Sequence, residues 1–237
     1  MKLAITTILA LAAICLLPAV GGEETADYWS SQAQQLALEG NFEKAVAGYD
    51  KALELDPSNP SLWISKGFAL ANLGRFDEAA DSFDEAISLN SSIADAWYYK
   101  GLALSVGLGK YEEGIAYLDK ALDLNPNHYD AWINRGMALA NIGKADDAIT
   151  SFDKAIDINP QGHIGWNNKG VVLRDQGKSQ EALTCFNKAL EFNPSYDVAK
   201  QNKEQLLQDD QNTYQDNFYE LDDILYKAKQ REGSLMS

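Results

Sequence analysis

The sequence predicts an all-α solenoid, and three observations carry that prediction. Five tryptophans, Trp29, Trp63, Trp97, Trp132 and Trp166, stand 34, 34, 35 and 34 residues apart. Behind each comes a small residue (Ala45, Ala79, Gly114, Ala148, Ala182), then a large apolar one (Tyr49, Phe83, Leu118, Phe152, Phe186), then Ala52, Ala86, Ala121, Ala155 or Ala189. Pro57, Pro126, Pro160 and Pro194 close four of these units, with Ser91 in the fifth such place. A unit this short cannot bury its own apolar face, so such a period means that neighbouring units stack into one continuous core.

Met1–Gly22 precedes the array and has a different character. Lys2 is followed by the apolar run Leu3–Leu17, interrupted only by Thr6 and Thr7, and then by Pro18, Ala19, Val20 and Gly21. A positive start, a short apolar core and small residues for cleavage are expected of a secretory signal. The alternative is an uncleaved membrane anchor, because Leu3–Val20 approaches the length of a span.

The unit Asn59–Asn90 shows why each repeat is expected to be a helical hairpin. Asn59 is a capping residue and Pro60 suits a first helical position, where its missing donor costs nothing. Trp63, Gly67 and Leu70 then fall at helical spacing, and after the break at Asn72-Leu73-Gly74 so do Phe76, Ala79, Phe83, Ala86 and Leu89. The glycine and alanines are small where two helices cross closely, with Trp63 and Phe83 expected to fill the remaining gap. In the third unit, Ser105-Val106-Gly107-Leu108-Gly109 carries one extra residue, and Gly114 replaces the first alanine of the second helix. Either the insertion is merely tolerated by a loop or it marks a local hinge or a closer backbone approach by a ligand.

Beyond Tyr196 the period is lost. A polar capping helix is expected over 197–208, with Val198, Leu206 and Leu207 as its apolar points, followed by a break at Asp209–Asn212. Tyr214, Phe218, Leu221, Leu225 and Ala228 then form the stripe of an amphipathic helix within 209–237. Once the signal is removed, Cys185 is the remaining cysteine, expected as a small buried hydrophobe.

This pattern resembles the tetratricopeptide repeat over Ala26–Tyr196, divided as 26–59, 60–93, 94–128, 129–162 and 163–196. The Leu-Gly pair of the family motif keeps its glycine at Gly67, Gly101, Gly136 and Gly170, but Lys66, Lys100, Arg135 and Lys169 replace the leucine. In the first repeat, Gln32 and Ala33 stand at both places. The lysine and arginine ladder is expected to lay its stems on apolar surface and reach acidic groups of neighbouring second helices. The resemblance implies a right-handed α-solenoid of five hairpins, ended by capping helices, with a concave groove lined by the first helices. Groove positions carried over from the family are Asp27, Ile64, Phe68, Asp95, Tyr98, Leu102, Asp130, Ile133, Met137, Asn167 and Val171. They imply an apolar floor in the middle repeats with an acidic border. The Lys, Asn and Arg clamp by which some arrays hold carboxylate-terminated peptides is not matched, since Ser30, Gln34, Ser65, Asp95 and Tyr99 fall there. An apolar or basic protein segment is the ligand that remains.

Composition narrows the functional class. With 20 basic against 35 acidic residues and a net charge of −15, the chain lacks the clustered cations that nucleic acid requires. His128 and His163, the two histidines, have no neighbours at metal-ligand spacing, and no phosphate loop or nucleophile elbow is present. The expectation is therefore a noncatalytic protein-binding scaffold, without cofactor or metal, at or outside the cell envelope. Self-association through the C-terminal helix or the open array ends is the alternative.

Overall fold

The computed structural model describes residues 24–212 and 215, and every regular element among them is helical. Five hairpins follow one another: α1 (Ala26–Leu38) with α2 (Phe42–Leu55), α3 (Pro60–Asn72) with α4 (Phe76–Leu89), α5 (Ala94–Leu102) with α6 (Tyr111–Leu124), α7 (Tyr129–Asn141) with α8 (Ala145–Ile158), and α9 (His163–Asp175) with α10 (Ser179–Phe192). A π-helical turn, Ala103–Gly107, prolongs α5. A last helix, α11, runs over residues 197–212. Each helix packs on the next in sequence, so the core is a strip handed from hairpin to hairpin.

Caps and turns set the ends of these helices. Thr25 Oγ1 accepts from Tyr28 N, Asn59 Oδ1 from Ser61 N and His128 Nδ1 from Ala131 N, satisfying donors that a first turn leaves free. Each hairpin turns through a glycine at positive φ (Gly40, Gly74, Gly109, Gly143, Gly177), a conformation that crowds any Cβ. The carbonyls of Leu36, Leu70, Leu139 and Leu173 accept the N–H five residues on, closing the turn, whereas that of Leu104 accepts from Lys110, six residues on. This offset locates the extra residue of the third repeat.

Inside the hairpins, size complementarity does the packing. A Cβ added at Gly67, Gly136 or Gly170 would lie 2.6, 2.5 or 2.7 Å from the ring of Phe83, Phe152 or Phe186. The first repeat reverses the arrangement: Ala33 stands on α1, and a Cβ at Gly48 of α2 would lie 2.9 Å from its methyl group. The departure seen there in the motif is thus compensated on the facing helix. Cys185 is buried beside Phe186, and burial raises its thiol pKa.

The tryptophans act differently from the expectation. Phe83 and Phe152 are fully buried in the hairpin interior, but Trp63, Trp97, Trp132 and Trp166 are only partly buried. Their indole Nε1 groups donate to the carbonyls of Pro57, Ser91, Pro126 and Pro160, pinning each first helix to the end of the preceding repeat. A backbone carbonyl serves this purpose whatever its side chain, which explains how Ser91 stands in for proline.

The cation ladder joins repeats in the same direction. Lys66 pairs with Asp50 at 2.7 Å, Arg135 with Asp119 at 2.6 Å and Lys169 with Asp153 at 2.6 Å, and Lys100 pairs with Asp84. Every pair ties a first helix to the second helix of the repeat before it. At the far end, α11 takes the place of a sixth first helix, with Ala199 and Leu206 buried and Leu206 packed into the last repeat's core. The break expected at Asp209–Asn212 is absent, for the helix continues through these residues. Their polar side chains stay exposed, and Asp210 accepts from Ser179 Oγ at 2.8 Å. The stripe from Tyr214 to Ala228 and the segment Met1–Gly22 lie outside the described residues.

Candidate functional site

Two adjoining pockets open on the face formed by the first helices of repeats one to three. The larger, about 420 Å³, lies between α1 and α3, walled by Gln34, Leu38, Ile64, Phe68 and Asn72 with Tyr99 at its end. The smaller, about 250 Å³, lies between α3 and α5, with Phe76, Leu102, Val106 and Gly107 in its lining. Phe68, Asn72 and Tyr99 belong to both. Phe68 is 47% exposed, although it is a large aromatic side chain within α3. Tyr99 buttresses it edge-on at 6.2 Å and stacks on Phe83 at 5.7 Å, so the partition between the pockets is held by the hairpin core.

Of the expected groove residues, Ile64, Phe68 and Leu102 line these pockets. Asp27, Asp95 and Asp130 are exposed, and Met137 is 40% exposed on α7. Tyr98 turns out to belong to the seam between repeats three and four: its ring lies 4.5 Å from that of His128, and its hydroxyl accepts from Asn134 Nδ2 at 3.2 Å. Burial, with the negative charge of Asp130 next, pushes its pKa up to about 12. His128 in turn faces Asp95 at 3.6 Å.

Two expected groove residues are covered. Ile133 is buried, because Gly165 lets α9 come close over it; a Cβ there would already touch Ile133 Cδ1 at 3.4 Å and Ile156 Cγ1 at 3.3 Å. Asn167 is buried under α11, where its Oδ1 accepts from Asn202 Nδ2 at 2.9 Å. Val171, half-buried, packs against the core of the last repeat. The apolar opening is thereby confined to the N-terminal half of the array. Leu38, Asn72, Tyr99 and Val106 also line it, without being among the groove positions expected from the sequence. Leu38, Asn72 and Val106 are the thirteenth residues of their repeats, a further place that the family resemblance assigns to the groove; Tyr99, like Gln34 and Ser65 of the same lining, stands at a place of the family's clamp.

No charged side chain lines either pocket. Burial raises the pKa of Tyr99, and the charges of Asp95 and Asp130 add to it. Among the described residues no three His, Cys, Asp or Glu side chains are grouped to hold a metal ion, and no helix is long and apolar enough to cross a membrane.

Models of the tetratricopeptide repeat match residues 33–74, 60–93, 106–163 and 163–196. The chain belongs to the tetratricopeptide repeat family. Among solved tetratricopeptide repeat structures, it is similar to YrrB, described as a TPR protein with an unusual peptide-binding site, at 28% identity over 85% of this chain and 98% of that one, with a TM-score of 0.63. It is similar to MamA at 27% identity over 68% and 94%, TM-score 0.64. PilW, described as a type IV pilus biogenesis factor, shares the fold at 22% identity over 84% and 95%, TM-score 0.67. No curated protein matches the sequence.

Proposed function

We propose that this tetratricopeptide repeat protein is an exported, noncatalytic scaffold that holds an apolar, basic segment of a partner protein on the first-helix face of repeats one to three. The observation that carries the reading is the pair of adjoining apolar pockets divided by the exposed ring of Phe68. Monomeric proteins seldom leave such a surface open without a use for it. The peptide-binding site of YrrB, built on the same fold, supports this use of it. Affinity capture from the native envelope fraction tests it, comparing wild-type protein with Phe68→Ala. A partner retained equally by both would contradict the groove reading. Export is tested by N-terminal sequencing of protein from its own cells, where an intact Met1 would contradict removal of the signal.

One observation favours self-association as a second reading. Leu207 of α11 is 40% exposed, whereas Leu70, Leu139 and Leu173, at the same place in complete repeats, are buried under their second helices. Light scattering over a concentration series, with Leu207→Ser as control, decides between a monomer and an assembly built on that end.

A further inference from the structure

The third repeat owes its irregularities to one inserted residue, and that residue builds a wall of the smaller pocket. Aligning Leu102–Lys110 with Phe68–Arg75 places Gly107 as the insertion, since Leu108, Gly109 and Lys110 then match Leu73, Gly74 and Arg75. The helix absorbs it as the π-turn Ala103–Gly107, in which Leu108 N donates to Ala103 O at 3.0 Å. Turns of this kind are rare and concentrate at functional sites.

Three local features follow from the turn. Ser105 is rolled inward and buried, its Oγ donating to Gly101 O at 2.7 Å. Gly114 makes room for it, for a Cβ there would lie 2.7 Å from Ser105 Cβ. Gly107 itself abuts Phe76, and a Cβ on it would lie 2.4 Å from that ring. Val106, at 62% exposure, is left standing on the pocket rim. The cavity so formed is walled by the aromatic rings of Phe68, Phe76, Phe83 and Tyr99.

We propose that this π-turn pocket is a specificity pocket that seats an aromatic side chain of the partner segment, with a basic group of that segment lying beside it. The assignment rests on the groove reading above and adds to it the occupant of one place. Ring walls favour an aromatic guest through edge and offset contacts. Charge complementarity selects the cation, because the exposed carboxylate of Asp95 lies one helical turn before Tyr99 on α5 while no lysine, arginine or histidine lines the pocket.

Tryptamine and indole-3-acetate carry the same ring with opposite charges and serve as probes. Amide shifts of the protein are followed by NMR on titration, in wild type, in the chain with Gly107 deleted, and in Val106→Lys, whose change is on an exposed rim. Saturable shifts centred on Leu102–Gly107 are expected in wild type, with tryptamine about two- to fivefold tighter than indole-3-acetate, the range of one exposed ion pair. The deletion loses them for both probes and Val106→Lys loses them for tryptamine; if the deletion unfolds the chain, Val106→Lys carries the comparison. Equal binding of the two probes overturns the charge selection. Tryptamine shifts confined to Gln34, Leu38 and Ile64 in every chain overturn the π-turn pocket while leaving the groove in place. Absence of saturable shifts at Leu102–Gly107 also overturns it, and the groove reading then stands or falls by the Phe68→Ala capture.

Discussion

Phe152 and Trp97 recur with the same period and do different work. Phe152 fills the space over Gly136, so Phe152→Ala leaves a cavity and is expected to cost about 3–5 kcal/mol. Trp97, partly exposed, loses a hydrogen bond to Ser91 O and its stacking on Tyr117, and Trp97→Ala is expected to cost about 1–3 kcal/mol. Denaturant midpoints decide it, and equal losses would contradict the separation of interior from seam. Tyr98 makes a second prediction at this scale. Its phenol keeps its proton in the fold up to about 12, against an ordinary 10.0. The folded state therefore binds that proton more tightly than the unfolded one. The resulting stability is present below pH 10 and is lost as pH rises through the folded value. Tyr98→Phe should flatten the decline in denaturant midpoint between pH 9.5 and 11.5, measured at about half-unit steps; parallel curves for the two chains would contradict it.

At the scale of elements, the hairpins were legible because tryptophan, alanine and proline repeat at a fixed offset and helix pairs pack locally. The same residues show why the rest was not. The burial of Ile133 depends on Gly165, one repeat further on, and that of Asn167 on Asn202 in a helix outside the period. Such contacts between repeats leave no mark in the repeat that carries the side chain. Gly107 was visible as an extra residue, but a loop and a π-turn satisfy the count equally well. Asp209–Asn212 looked like a break because these residues favour turns, and an exposed helix end tolerates them. The ladder supplies the prediction for this scale. The Lys100 side chain is 8% exposed, compared with 22% for Lys169. Burial alone would lower the Lys100 pKa, yet hydrogen bonds to Asp84 and Tyr117 outweigh it and raise it. Asp84→Asn should therefore cost about 1–3 kcal/mol by leaving a desolvated ammonium poorly paired, and Asp153→Asn less than about 1 kcal/mol. Thermal or urea unfolding at matched salt separates them, and indistinguishable losses would refute the distinction.

At the scale of the molecule, the helical strip of the described residues carries its two adjoining apolar pockets in repeats one to three. In repeats four and five Ile133 and Asn167 are covered by the helices that follow, Asp27, Asp95 and Asp130 are exposed on their first helices, and the two pockets contain no charge. The proposed partner segment, with apolar anchors and positive charge, would lie along repeats one to three. The direct measurement is the calorimetric affinity of the captured partner for wild type, for Phe68→Ala, and for the chain ending at Asn212. The account predicts that Phe68→Ala weakens binding about tenfold or more, as loss of a central aromatic anchor does, with its unfolding midpoint nearly unchanged and with the shortened chain still binding. Unchanged affinity in Phe68→Ala, together with loss of binding in the chain ending at Asn212, would contradict it and place the binding element beyond the repeats.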